Sequence, residues 1–361
     1  MNIDVRVETW PLRDPIRITG YTFESFDFLV VTLEEDGFTG RGEASGVYYC
    51  GDLPAKAAAE IEALRPSLRG IDRAGLAKLL PPGCARNALD CALWELEARR
   101  SATPVWALAG LAHPPRPLKT TFTVGAEDPD TPVRIATTAY ANANAIKMKL
   151  TGEAVDADRV RAVRAARPDV WIGVDANQGF TRASLDALMP ILVEAGVGLI
   201  EQPFATGREV VLDGLASPIP VAADESVQST AEIPGLVGRA DIVNIKLDKC
   251  GGLTEALAMV KLARDLGLGV MVGNMVGTSL AMAPACLVGQ LCDFADLDGP
   301  LALRDDRSAH VTYAGGEISC PSSKIDTATG SVTRSYAPVL WDGTKDDEGA
   351  IYTVPAKGGD G

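Results

Sequence analysis

The sequence predicts an α/β protein whose larger part is a (β/α) barrel, preceded by an antiparallel meander and helices. Three observations predict it. From Leu118 onward eight apolar runs recur, several of them separated by amphipathic stretches, which is the pattern of parallel strands with crossover helices. Before that point the apolar residues alternate with period two and then shift to a helical spacing, as an α+β unit does. Between the two parts stands "HPPRPLKT" (113–120), a proline-rich junction. A doubly wound sheet is the other arrangement that such runs allow.

In chain order, strands are expected in 3–9 and 16–33, a turn at Asp36-Gly37, and a return strand through "GFTGRGEAS" (37–45). Helices follow in 53–68 and 85–100. The barrel runs are "LKTTFTV" (118–124), "NAIKMKL" (144–150), "VWIGVDAN" (170–177), "VGLIEQP" (197–203), "IPVAADES" (219–226), "DIVNIKL" (241–247), "LGVMVGN" (268–274) and "CDFADLD" (292–298). Helical stretches at 155–168, 181–196 and 253–267 lie between them. The division expected is 1–115, 116–305 and a weakly patterned 306–361; beyond about Ser319 little apolar periodicity remains, so that end either packs irregularly on the first domain or is partly disordered.

The 34 basic and 48 acidic residues give a net charge of −14, which disfavours nucleic acid and anionic membrane as partners. No stretch approaches the length of a membrane span, and the amino terminus has no signal-peptide pattern. Seven cysteines without a CxxC pair indicate reduced thiols rather than a disulfide framework or a zinc site, and a cytoplasmic protein. With only His113 and His310, neither near the motifs below, histidine-based triad chemistry is not expected.

Charged residues close consecutive apolar runs: Lys149, Asp175, Glu201, Asp224 and Lys246. In a barrel that register puts them at the carboxyl ends of strands 2 to 6, the face where active sites lie. An acid at such a place often caps the next helix. Three on neighbouring strands instead suit a shared hard cation, and oxygen ligands with room for water and substrate favour Mg²⁺. Lys149 and Lys246 end strands that face each other across the axis, a geometry for taking a proton from one face of a carbon and returning it to the other. Either lysine then needs a lowered pKa, which a like charge and a metal supply. Lys147, on the same strand face as Lys149, either helps keep Lys149 neutral or contacts a substrate carboxylate. Lys249 stands three residues beyond Lys246 and is expected on the other face of an extended strand.

The motifs "KMK", "VDAN", "IEQP", "ADES" and "NIKLDKCGGL", in this order, closely resemble the enolase superfamily, its muconate lactonizing subgroup, and within it the dipeptide epimerases; the resemblance covers about residues 1 to 305. It implies a modified (β/α)7β TIM-like barrel under an α+β capping domain, one Mg²⁺ per subunit, and an enediolate made by removing the proton next to a carboxylate. It also implies Lys149 and Lys246 as acid/base residues and Asp175, Glu201 and Asp224 as metal ligands. Asn177, Glu225 and Asn274 become supporting residues, Asn274 standing where other subgroups use a histidine. Thr123 is grouped with the substrate-binding residues.

In "CDFADLDGP", Asp296 and Asp298 share a strand face and form a compact pair of acids suited to a substrate ammonium; the resemblance assigns them the amino terminus of a dipeptide. Asp298 also fits a turn-initiating role. Specificity for the second residue is expected in the loops 17–27 and 46–54, with Arg17 as the basic candidate for an acidic side chain and Tyr21, Phe23, Phe26, Tyr48 and Tyr49 as an aromatic lid or core. The implied activity is a Mg²⁺-dependent epimerase of dipeptides, L-Ala-D/L-Glu among them, and its partners are the dipeptide and further copies of itself. N-acylamino acid racemase, o-succinylbenzoate synthase, muconate cycloisomerase and a metabolite-binding barrel without catalysis are the alternatives. "GRGEASG" (40–46) is a poor dinucleotide loop, because it follows a hairpin arm and opens no helix.

Overall fold

A computed structural model describes residues 1–18, 21–320 and the short strands 324–325, 332–333 and 351–353. The amino-terminal part is a three-stranded antiparallel sheet of β1 (Asn2–Ile18), β2 (Tyr21–Glu35) and β3 (Phe38–Ala44), in the order β1-β2-β3. The β1/β2 register runs from Asn2 opposite Glu34 to Pro11 opposite Ser25 and shifts before Ile16 pairs with Phe23. The strand expected over 16–33 is thus divided between β1, which ends at Ile18, and its antiparallel partner β2, which begins at Tyr21.

Helices α1 (Pro54–Leu64), α2 (Arg73–Leu79), α3 (Cys84–Ser101) and α4 (Val105–Leu108) follow. α2 was not legible in the sequence; its seven residues, about two turns, are held by the Asp72 carboxylate, which accepts from Gly75 N at 2.7 Å. α3 is buried along most of its length and lies directly on β3. A Cβ on Gly40 would stand 2.1 Å from Ala92 O, and one on Gly42 2.0 Å from Ala88 O. The glycines of "GFTGRGE" are therefore there for strand-to-helix contact and not for a nucleotide.

The second part is an eight-stranded parallel sheet in strict sequence order: β5 (Phe122–Val124), β6 (Ala145–Lys149), β7 (Trp171–Asp175), β8 (Val197–Glu201), β9 (Val221–Ala223), β10 (Ile242–Ile245), β11 (Gly269–Val272) and β12 (Phe294–Ala295). It curls so that Thr121 N, just before β5, bonds Ala295 O in β12 at 3.1 Å. Helices α5 (Asp130–Thr137), α6 (Asp156–Ala166), α7 (Arg182–Glu194), α9 (Leu253–Asp265) and α10 (Ser279–Gly289) cover the outside, with α8 (Leu247–Cys250) a single turn after β10. Only 3₁₀ turns follow β8 and β9. Leu199, Ala222, Ile242 and Met271 fill one end of the interior, with Trp171 and Phe294 against them, so polar side chains are confined to the other end.

Two buried carboxylates bind the parts together. Asp248 Oδ1 accepts from Ser45 N at 2.8 Å and Gly46 N at 3.1 Å. Glu43, at the end of β3, accepts from Thr278 N at 2.7 Å and from Arg307 Nη2 at 2.6 Å, and Arg307 also reaches Glu8 at 2.8 Å. Beyond the barrel, β15 (Glu317–Ser319) pairs with β14 (Thr312–Ala314) and with β4 (Leu118–Lys119), the short strand ahead of β5. Most of the weakly patterned end lies outside the described residues. Among the described residues no helix is long and apolar enough to cross a membrane.

Candidate active site

The polar end of the barrel is built by strand endings. β6 pairs with β7 so that Lys149 stands opposite Asp175, and β7 with β8 so that Asp175 stands opposite Glu201. Asp224 follows β9 and Lys246 follows β10. Because alternate residues of a strand point to one side, Lys147 joins Lys149 and Asn244 joins Lys246 inside the barrel.

Each expected acid is buried and each meets a lysine. Lys149 Nζ lies 2.6 Å from Asp175 Oδ2, and Lys246 Nζ lies 2.7 Å from Asp224 Oδ2. Lys147 is 3.6 Å from Glu201 Oε2 and 3.8 Å from Asp175 Oδ2, with its ammonium on Asp296. Lys249 departs from the expectation. The chain winds into α8 after Lys246, so Lys249 turns back inside, buried, with Nζ 2.6 Å from Asp224 Oδ1 and 3.1 Å from Asn244 O.

Asp296 and Asp298 are close to the expected place but are engaged within the protein. Asp296 holds Lys147 and accepts from the Thr121 hydroxyl. Asp298 Oδ2 accepts from Thr123 N at 2.8 Å. Asn177 N donates to Asp175 Oδ1 at 2.8 Å, and its side chain donates to Glu225 Oε1 at 3.3 Å. Asn274 meets none of the acidic side chains: its Nδ2 donates to Asp296 O at 2.6 Å and its Oδ1 accepts from Gly299 N at 2.7 Å, joining the loops after β11 and β12. The side chains of Arg17 and Tyr21 lie outside the described residues.

Two residues that sequence reasoning missed complete the site. Asn244 Nδ2 donates to Glu201 Oε1 at 2.7 Å; the signal was its place two residues before Lys246, matching Lys147 before Lys149. Gln202 adopts a left-handed backbone, φ 35°, a conformation that costs a non-glycine residue about 1–2 kcal/mol. Its side-chain oxygen accepts from Asp224 N at 2.9 Å and its amide donates to Ser226 Oγ at 2.8 Å, so it stitches the end of β8 to the end of β9.

The electrostatics follow from burial against neighbours. Burial raises the Glu201 carboxyl to about 8, with Asp175 adding to the rise and Lys147 opposing it. Burial also raises Glu225, helped by Asp224 and Asp175. Burial works against charge on Asp224, yet Lys246 and Lys249 hold it far below the ordinary carboxylate range. For Lys147 burial favours the neutral amine, but Asp296, Glu201 and Asp175 outweigh it. Lys246 is likewise pushed well above the usual ammonium range, by Asp224 and Glu201 against its burial. The lowered pKa expected from sequence is not found at Lys246, where the surrounding acids outweigh both burial and the Lys147 charge.

Among the described residues no three acids, cysteines or histidines converge on one point as they stand, because lysine ammonium groups occupy the carboxylates. The donor set nonetheless fits a divalent cation. Glu201 Oε2 and Glu225 Oε2 are buried with no hydrogen-bond partner among the described residues, a costly state for an oxygen acceptor, and Glu201 stands between two further hard oxygen donors on adjacent strands.

Residues 1–110 match the mandelate racemase/muconate lactonizing enzyme N-terminal domain, and residues 133–324 the enolase C-terminal domain-like family. The chain is 38% identical over 318 residues to an L-Ala-D/L-Glu epimerase of Escherichia coli, covering 88% of this chain and 98% of that one. A crystal structure of an enolase family member from Agrobacterium tumefaciens with homology to dipeptide epimerases, holding sodium and L-Ala-L-Glu, superposes with a TM-score of 0.83 at 40% identity, over 88% of this chain and 96% of that one. A dipeptide epimerase from Methylococcus capsulatus complexed with Mg and L-Arg-D-Lys gives 0.80 at 31%, over 88% and 96%.

Proposed function

The chain belongs to the mandelate racemase/muconate lactonizing enzyme family of the enolase superfamily, and on that footing we propose that it epimerises dipeptides, L-Ala-D/L-Glu among them, by moving one proton at the α-carbon of the second residue. Residues 1–115 act as the cap, 116–305 as the catalytic barrel, and 306–361 as a segment returning to the cap. The observation that carries the reading is the placement of Lys149 and Lys246, on strands four apart in an eight-stranded barrel, with Asp175, Glu201 and Asp224 on the strands between them.

Lys149 Nζ takes the α-proton as the C–H bond breaks, and the electron pair passes into the adjoining carboxylate to give an enediolate. Lys246 Nζ delivers a proton to the opposite face, which inverts the centre without any net change of atoms or electrons. Asp175, Glu201 and Asp224 would hold a divalent cation, one Mg²⁺ per subunit, which would supply positive charge to the substrate carboxylate and offset the acids that raise Lys246. Asn177 and Glu225 steady the acids, and Lys147 with Asp296 and Asp298 shapes the end that receives the substrate ammonium. Thr123 fixes Asp298 there; Arg17 and Tyr21 belong to the lid, and Asn274 sets the loop that carries Asp298. Seven unpaired cysteines support a cytoplasmic location, and we take the working form to be a homo-oligomer.

Incubation with Mg²⁺ and a dipeptide library in D₂O tests the reading. Deuterium is expected at the α-carbon of the second residue, and is expected to be lost in both Lys149→Ala and Lys246→Ala. Exchange confined to N-succinyl amino acids, or none at all, overturns it.

A further inference from the structure

The turn after β3 carries a hydroxyl that finds no partner among the described residues. Tyr49 Oη is buried and has no hydrogen-bond partner among the described residues, although a buried hydroxyl in that state costs roughly 1–3 kcal/mol. Its position is built, not loose. Val47 and Asp52 close the turn through Val47 N to Asp52 O at 2.9 Å. The preceding residues, Ser45 and Gly46, are fastened to Asp248, two residues beyond Lys246. The ring is wedged edge-to-face on Tyr48 with centroids 5.3 Å apart; Tyr48 meets Phe23 at 5.2 Å, and Phe23 stacks on Phe26 at 4.6 Å. This aromatic row runs from β2 to the barrel mouth and leaves the phenol little freedom.

The turn that carries the phenol is anchored on Asp248, two residues beyond Lys246, so it faces the same end of the barrel as the proposed second base; burial, with Asp224 and Glu225 adding and Lys246 opposing, pushes the phenol above its ordinary range. Among these neighbours none accepts its hydrogen bond. We propose that Tyr49 binds substrate directly, its hydroxyl donating a hydrogen bond to the terminal carboxylate of the dipeptide. This rests on the functional reading above. A carboxylate is the acceptor that gains most from such a donor, and it gains further as negative charge moves onto it during proton removal. The unsatisfied hydroxyl is then a stability cost accepted for binding, matched only when substrate is present.

The test is Tyr49→Phe, which deletes the hydroxyl and keeps the ring. The thermal midpoint is expected to be unchanged or higher, because no protein contact is lost. kcat/KM for α-proton exchange is expected to fall about 10- to 100-fold for every dipeptide that the wild-type protein accepts, since all share the terminal carboxylate. Exchange in the wild type with undiminished kcat/KM in Tyr49→Phe overturns this inference alone. A loss limited to particular second side chains overturns the assignment to the carboxylate, and a lowered thermal midpoint overturns the absence of a protein partner. No exchange in the wild type overturns the functional reading together with it.

Discussion

Asn244 donates to one oxygen of Glu201 at 2.7 Å and leaves the other, Oε2, buried without a hydrogen-bond partner among the described residues, 3.6 Å from the Lys147 ammonium. The amide thereby fixes the rotation of the carboxylate and decides which oxygen faces the row of acids. Residues that orient a ligand in this way typically contribute 10- to 100-fold to metal affinity. Asn244→Leu, which retains the volume and removes the donor, is expected to weaken Mg²⁺ binding by about that factor, read by titration calorimetry of the protein with MgCl₂. Unchanged affinity would show that Asn244 does not orient Glu201 toward the cation.

Gly273, just after β11, gives room to two of these side chains. A Cβ there would stand 2.7 Å from Asn244 Oδ1 and 2.9 Å from Lys246 Cε. Both can move, so Gly273→Ala is expected to disturb the site more than the fold. Deuterium exchange should slow by at least about 10-fold, since displacing a reacting group by an ångström costs up to 10²-fold, with little change in the urea midpoint. An alanine variant of full activity would mean that Lys246 does not work from the position it holds here.

Gly42 gives the opposite outcome. Its added Cβ would meet the backbone of α3, Ala88 O at 2.0 Å and Ala92 N at 2.9 Å, and a helix backbone has no rotamer to change. Gly42→Ala is expected to destabilise the cap by about 3 kcal/mol or more, the upper end for overpacking. Urea unfolding followed by circular dichroism reads the change.

Stability should depend on pH through Asp90. Burial raises this carboxyl from 3.8 to about 6 against the opposing effect of Thr254, whose N and hydroxyl donate to it at 2.9 and 2.6 Å. A raised folded-state pKa means that the folded protein holds the proton more tightly than the unfolded chain. The contribution is therefore complete below pH 3.8 and is lost as pH rises through 6. Asp90→Asn keeps a neutral group of the same shape, whose oxygen still accepts from Thr254. Its stability relative to wild type is expected to rise between pH 4 and 7 by on the order of 2–3 kcal/mol, seen as a diverging pair of thermal midpoints. A constant difference across that range would remove Asp90 as the cause.

The row Lys149, Asp175, Glu201, Asp224 and Lys246 was legible in the sequence because each closes an apolar strand, and parallel strands joined in order bring such endings to one rim whatever the helices do. The alternation of the meander and the helical spacing of α1 and α3 were legible for the same local reason. The seven residues of α2 were not, being too few for a period to emerge.

What tertiary structure alone decided is which partners those residues find. The sequence cannot say that Lys249 winds back to Asp224, that Asp296 is taken by Lys147, or that Asn274 ties two loops instead of touching the acids. Spacing along a strand determines the face on which a side chain emerges. The partner it meets in a closed barrel depends on strands many residues away and on the balance of burial and charge, and those arise only when the chain has folded.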